Sequence, residues 1–313
     1  MEDFSNKIAV VTGGAGFIGS HLVDALLERG ATVRVIDDLS TGRKENIAHV
    51  LDRIEFIQDT ILNGEVLAEV FAGASYVFHQ AAVPSVPKSV ADPMTSHNAN
   101  ATGSLNVLLA ARDAKVARVV CAASSSYYGD TPTLPKEETM PPNPLSPYGL
   151  QKYVSEAYAM QFNRLYGLET VALRYFNIYG PRQDPNSEYS AVVPLFIKHM
   201  KAGKAPNING DGTASRGFTY ISDAVAANLL AAQTPGVAGE VFNVSGTGQT
   251  SVNELVEKIN AILGTSLQPT HGAERLGDIK HSFADISKAA RMLGYVPQVS
   301  LEEGLTRTAE TIE

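Results

Sequence analysis

Three observations predict an α/β protein. Valine- and isoleucine-rich strands alternate with amphipathic helical stretches, a glycine-rich turn follows the first strand directly, and the second strand ends in an aspartate. Together they predict a Rossmann-type doubly wound parallel sheet with a smaller C-terminal α/β lobe for the substrate.

The strands are read in order from "KIAVVTGG", "ATVRVIDD", "IEFIQDT", "YVFHQAA", "RVVCAAS" and "TVALRYFNIYG". Between the first two, Phe17, Ile18, Leu22, Val23, Leu26 and Leu27 form one apolar helical stripe, and Gly30 is placed to end that helix. The pattern loosens after about residue 180, where "GPRQDPNSEYS" opens a run of shorter elements. Residues 1–180 are therefore expected to form the dinucleotide-binding domain and 181–313 mainly the second lobe, with "GEVFNVSG" at 239–246 returning to the main sheet as a buried strand.

Bulk properties narrow the function. A chain of 313 residues with 44% hydrophobic composition can bury a full core. Its net charge of -8 and the lack of any long basic run argue against a nucleic-acid partner. The start "MEDFSNKIAVV" does not read as a secretory signal, and no apolar stretch is long enough for a bilayer, so a cytoplasmic protein without membrane contact is expected. With Cys121 as its one cysteine and its histidines scattered, the chain offers no metal-ligand spacing, and no metal is expected.

In "VVTGGAGFIGSHL", Gly13, Gly16 and Gly19 permit a tight turn, close approach of backbone to a pyrophosphate, and close helix–strand packing. Asp37 can accept the hydroxyls of an adenosine ribose and would repel a 2′-phosphate, which favours NAD over NADP, although Arg43 and Lys44 follow closely. Ser146 and Pro147 read as N-cap and first residue of a helix, so Tyr148 and Lys152 share a face at i and i+4. A phenol beside an ammonium has its pKa lowered towards the working range of a base. The same spacing also suits an ordinary solvated helix turn. "CAASSSYYGD" places Ser124, Ser125 and Ser126 at the carboxyl edge of the fifth strand, where ligands bind, although such a run also suits a self-bonded polar turn.

The joint set "TGGAGFIG", Asp37, "HQAA", Ser124, Tyr148-x-x-x-Lys152 and "LRYFNIYGPRQDP" resembles the extended short-chain dehydrogenase/reductase family, and within it the NAD-dependent nucleotide-sugar 4-epimerases, over essentially the whole chain. "PSVPKSV", "YGPRQDP" and "GDIKHS" resemble the signatures of members that accept UDP-N-acetylhexosamines. The resemblance implies Ser124, Tyr148 and Lys152 as catalytic residues. It implies a cofactor held by the three glycines, Phe17, Ile18, Asp37, Asp38, Leu39, Ser40, Thr41, Gly42, Asp59, Thr60, Gln80, Ala81, Ala82, Asn100 and Phe176, together with the catalytic residues. For a UDP-sugar substrate it implies Ser85, Ser124, Ser125, Ser126, Tyr148, Asn177, Val192, Arg216, Arg275 and Ser282.

Related dehydratases carry an acid and a base where this chain has Ser125 and Ser126, which points to 4-epimerisation, by way of a transient ketone, over elimination. A small residue at Ser282 leaves room for an N-acetyl group, so interconversion of UDP-GlcNAc with UDP-GalNAc and of UDP-Glc with UDP-Gal is expected. A UDP-glucuronate 4-epimerase or another nucleotide-sugar modifier is the alternative, and a non-catalytic NAD sensor is disfavoured because the tyrosine and lysine are both kept. Two departures stand out. Gly217 occupies a position where the family often has aspartate, expected to loosen hydrogen bonding between the lobes, and Pro84 stands where many UDP-galactose epimerases place a lysine. Long helices at about 96–113 and 147–166 resemble those that pair members into homodimers, although their apolar positions also suit a core.

Overall fold

The computed structural model describes residues 3–185, 192–273 and 279–312. Its main sheet contains β1 (Ile8–Thr12), β2 (Thr32–Ile36), β3 (Ile54–Ile57), β4 (Tyr76–His79), β5 (Arg118–Ser124), β6 (Glu169–Tyr175) and β7 (Glu240–Val244). The strand order is β7-β6-β5-β4-β1-β2-β3, and every pairing is parallel. The order reverses at β1 and β4, which opens a crevice above their carboxyl ends. This is the doubly wound sheet that the alternating pattern predicts.

Burial on both faces explains why these strands read as nearly continuous apolar runs rather than as alternation. All seven residues of β5 are buried. Helix α1 (Phe17–Glu28) buries Leu22, Val23 and Leu26 in the core on one face of the sheet. On the other face, α2 (Gly64–Phe71) and α3 (Gly103–Asp113) bury Leu67, Val70, Val107 and Leu108 in a second apolar cluster.

Helix α4 (Pro147–Tyr166) begins and ends as its sequence signals indicate. The Ser146 side chain accepts a hydrogen bond from the Gly149 N–H at 3.1 Å, and Gly167 ends the helix with φ 67°. The long helix expected at 96–113 is different. A short helix Pro93–His97 runs into a π-helical turn at Asn98–Thr102 before α3 begins. An i→i+5 turn of this kind leaves no periodic trace in a polar stretch such as "NANAT", which is why the pattern does not reveal it.

The glycine turn is tight in fact. At Gly13, with φ 70°, an added Cβ would lie 2.7 Å from the Cα and N of Ala81, so the β1 and β4 loops touch backbone to backbone. At Gly19 it would lie 2.1 Å from the Gly13 carbonyl oxygen. Gly19→Ala is expected to destabilise the protein by about 1–3 kcal/mol through overpacking, read as a lower denaturant midpoint with unchanged slope. Unaltered stability would show that α1 does not lean on this contact.

Candidate active site

The loops that leave β1, β2, β3 and β4 converge at the carboxyl edge of the sheet. The N-terminal turn of α1 has Gly16 as N-cap, with no side-chain cap and no acidic residue, so its amide N–H groups are available to an anion. Phe17 and Ile18 are half-buried at the start of the same helix. Asp37 is buried, and its carboxylate accepts from the N–H groups of Ala15 and Leu39, each at 2.9 Å. Burial raises its pKa, and these bonds oppose the rise. Asp38 accepts from the Ser40 N–H at 2.9 Å, and Thr41 and Gly42 continue the loop, with a Cβ at Gly42 lying only 2.7 Å from Asp37. After β3, Asp59 accepts from the Thr60 N–H at 2.7 Å. After β4, Gln80 donates to the Asn228 side chain at 3.1 Å, and the Ala81 N–H donates to Thr12 Oγ1 at 3.3 Å.

Ser124 ends β5 and is buried, and its hydroxyl accepts from the Ser126 N–H at 3.1 Å. It also opposes the rise in the pKa of the Tyr148 phenol. Lys152, one turn further along α4, is buried with only 4% exposure. Serine, tyrosine and lysine are thus brought together from β5 and α4, with Ser125 and Ser126 half-buried in the following turn.

The electrostatics of this group differ from the sequence expectation in one respect. Burial raises the Tyr148 phenol above its ordinary 10.0, and the hydrogen bond with Ser124 only partly opposes that. The same burial weakens the Lys152 ammonium, whose pKa falls to about 8 although Cys121 and Glu156 oppose the fall.

Two further expected cofactor contacts, Phe176 and Asn100, are buried and bonded within the protein. Phe176 is fully buried against Tyr128, its N–H bonded to the Val244 carbonyl and its carbonyl to Thr219 Oγ1, so it supports the wall of the cleft from behind. Asn100, in the π turn, is 1% exposed; it accepts from the Val83 N–H at 2.8 Å and donates to Val83 O and Gln151. It holds the segment after β4 in place.

Sequence reasoning passes over His79. Its Nδ1 lies 2.8 Å from Thr12 Oγ1 and its Nε2 lies 2.8 Å from Ser104 Oγ. Ser104 donates to the Asn100 carbonyl at 2.6 Å and accepts from Ser155 of α4 at 3.0 Å. Since the Ser104 proton is committed to that carbonyl, the imidazole carries its hydrogen on Nε2. Burial and the charge of Lys152 push its pKa down to about 3, so it stays neutral. "HQAA" is the visible signal, but nothing in it indicates that the histidine ties β1 to α4.

Among the substrate candidates, Ser85 caps the helix Val86–Ala91 by accepting from Lys88 N–H at 3.2 Å. Asn177 has φ 41° and donates to the Gly217 carbonyl at 3.0 Å. Val192 is half-buried at the start of helix α5 (Val192–Lys201). Arg216 lies on the strand Ser215–Arg216, which pairs in parallel with His281–Ser282, and Ser282 is buried. Arg275 lies outside the described residues. The Gly217 N–H donates to Ser282 O at 2.7 Å, and its carbonyl receives Asn177.

Residues 9–245 match the family model "NAD dependent epimerase/dehydratase family". The chain belongs to this family. It is 41% identical over 308 residues to a UDP-glucose 4-epimerase of Mycolicibacterium smegmatis, covering 96% of this chain and 97% of that one. Among solved structures, it is 40% identical to the UDP-glucose 4-epimerase of Thermotoga maritima with UDP-glucose, with TM-score 0.93 and 97% of both chains covered. It is also 40% identical to a UDP-N-acetylglucosamine 4-epimerase from Methanobrevibacter ruminantium in complex with UDP-N-acetylmuramic acid, with TM-score 0.94 and coverage of 99% and 98%.

The lowered pKa of Lys152 makes a stability prediction. Below pH 8 the lysine is protonated in both states and the folded state bears the full penalty of a buried charge; between about 8 and 10.5 the unfolded chain binds more protons, so stability rises with pH. Lys152→Met is therefore expected to be more stable than the parent below pH 8 by up to about 3 kcal/mol, with the advantage shrinking towards pH 10.5. Unfolding of both proteins across this pH range checks it; a pH-independent difference would refute the shifted lysine.

Proposed function

We propose that the protein is an NAD-dependent 4-epimerase of UDP-hexoses, acting on UDP-GlcNAc/UDP-GalNAc and on UDP-Glc/UDP-Gal. The observation that carries this is the meeting of Ser124 at the end of β5 with Tyr148 and the buried Lys152 of α4, at the ligand-binding edge of a dinucleotide fold, beside a turn that offers hydroxyls and no carboxyl group.

The cradle fits NAD. Gly13, Gly16 and Gly19 leave the space and the free amides that a pyrophosphate requires, and Asp37 stands at the end of β2 with the geometry for the adenosine ribose. NAD, when bound, accepts hydride from carbon 4 of the sugar and returns it to the opposite face of the resulting ketone. Tyr148 takes the proton from the sugar's 4-hydroxyl and gives it back. Ser124 hydrogen-bonds the same oxygen and holds the phenol in line. Lys152 holds the cofactor ribose and supplies the positive charge that favours the phenolate. Ser125 and Ser126 provide neither acid nor base for elimination. Arg216 grips the diphosphate, a task suited to a guanidinium fork, assisted by Arg275, while Asn177 contacts the same region and Ser85 and Val192 line the substrate channel. Ser282 leaves room for an N-acetyl group.

We further assign residues 1–180 and the returning strand to the cofactor domain and 181–313 mainly to the UDP-sugar lobe. The functional unit is a homodimer in the cytoplasm. Leu150, Tyr158 and Leu165 stand exposed along one side of α4, at 52%, 39% and 66%, an apolar stripe suited to a second copy.

Incubation with UDP-Glc, UDP-GlcNAc and UDP-glucuronate in parallel, with NAD added, tests the reading. The first two are expected to yield their 4-epimers, and Tyr148→Phe is expected to lower kcat by about a thousandfold or more while the protein still binds NAD. Conversion of UDP-glucuronate alone would move the assignment to the uronate. Ser282→Tyr is expected to lose UDP-GlcNAc turnover by about a hundredfold or more while retaining UDP-Glc turnover. Equal loss on both sugars would remove Ser282 from the sugar pocket.

A further inference from the structure

Beneath the serine turn lies an ion pair that the proposed chemistry does not use. Arg174 of β6 and Glu156 of α4 are 3% and 6% exposed, and they are joined by two parallel bonds, Nε to Oε2 at 2.8 Å and a terminal guanidinium nitrogen to Oε1 at 2.7 Å. The other terminal nitrogen of Arg174 donates to the Tyr128 hydroxyl at 2.7 Å, which in turn donates to Asn243 Oδ1 at 2.6 Å. The guanidinium carbon stands 3.4 Å from the centre of the Tyr127 ring. One planar cation thus holds a carboxylate, a phenol and an aromatic face together, a combination that a lysine cannot supply.

Tyr127 closes the single turn Ser125–Tyr127, which follows Ser124 directly. Its carbonyl receives the Asn143 N–H at 2.8 Å, and the turn rests against the catalytic helix, where a Cβ at Gly149 would lie 3.1 Å from Ser126 O. The Ser126 N–H in turn donates to Ser124 Oγ. Glu156 lies two helical turns beyond Tyr148 on α4, so the connections form a closed circuit: α4, Arg174, the two tyrosines, the serine turn, Ser124, and back to α4 at Tyr148.

We propose that Arg174, held by Glu156, is a positioning residue for the epimerisation, setting the hydroxyl of Ser124 against Tyr148 through the Tyr127–Tyr128 turn. This rests on the reading of Ser124 and Tyr148 given above. The backbone of Ser124 is held by its pairing with Tyr175, so the turn acts on the direction of its hydroxyl through the Ser126 N–H. A buried pair of this kind is a poor source of stability, since apolar residues of similar volume often serve as well, whereas a bidentate, stacked cation fixes one geometry.

The test uses the full chain with NAD. Arg174→Lys keeps the charge but removes the fork and the stacking plane. The expected result is a kcat lowered about tenfold to a hundredfold, with KM for UDP-Glc and NAD affinity within about twofold of the parent. The loss should vanish in a Ser124→Ala background, because Arg174 acts through that hydroxyl. Undiminished kcat, or an equal loss with Ser124 already removed, would overturn the proposal. Should Arg174→Lys not fold, Tyr127→Leu severs the circuit while leaving the ion pair intact, and the same signature is expected of it; full activity would count against the inference.

A second readout needs no turnover. The phenolate absorbance of Tyr148, taken as the difference between each protein and its Tyr148→Phe counterpart, should titrate at higher pH in Arg174→Lys, since the hydrogen bond with Ser124 is what opposes the upward shift. If the parent fails to convert any UDP-sugar, the functional reading falls, and this titration alone decides the positioning role: an unmoved phenol refutes it.

Discussion

The ammonium of Lys152 is kept inside the protein, and much of the surrounding architecture follows from that constraint. Taking it from water lowers its pKa to about 8, so the charge survives at neutral pH only with help from its surroundings. Glu156 lies one turn away on the same helix and favours the charge, and that carboxylate is itself matched by Arg174. His79 is driven neutral, with Lys152 as one of the causes, and is therefore available as a hydrogen-bonding tie between β1 and α3 rather than as a second cation. Counting Lys152, Arg174 and Glu156, the buried group carries one net positive charge. A phenolate at Tyr148 would cancel that charge, while burial by itself keeps the phenol above its ordinary pKa.

In the unliganded protein desolvation of Tyr148 prevails over its hydrogen bond with Ser124. The position of Ser124 therefore bears directly on the protonation of the phenol.

Much of this was legible in the sequence. The apolar strands, the glycine turn, and the helix that starts at Ser146 and stops at Gly167 are local signals with local causes, and the structure places them accordingly. The convergence of Ser124 with Tyr148 was legible only by resemblance, since the spacing of Tyr148 and Lys152 alone suits a solvated helix. What stayed hidden depends on contacts between distant segments. The protein partners of Asn100 and Phe176, Val83 and Tyr128, are of this kind. Arg174 and Glu156 read as an arginine in a strand and a glutamate on a helix, and only the crossing of α4 over β6 makes them a pair. The π turn at Asn98–Thr102 alters helix phase without altering composition.

The smaller lobe shows the same dependence on backbone geometry. Arg216 and Ser282 lie directly opposite one another on adjacent parallel strands, and the Gly217 N–H donates to the Ser282 carbonyl. Asn177, at the end of the main sheet and in a left-handed conformation, donates to the Gly217 carbonyl from the other side. Asn177 and Ser282, one proposed for the diphosphate and one for the sugar pocket, thus bond to the carbonyl and the N–H of the same residue, Gly217. A Cβ at position 217 would stand 2.8 Å from Ser245 Oγ, inside contact distance, so a larger residue there would require that hydroxyl to turn aside.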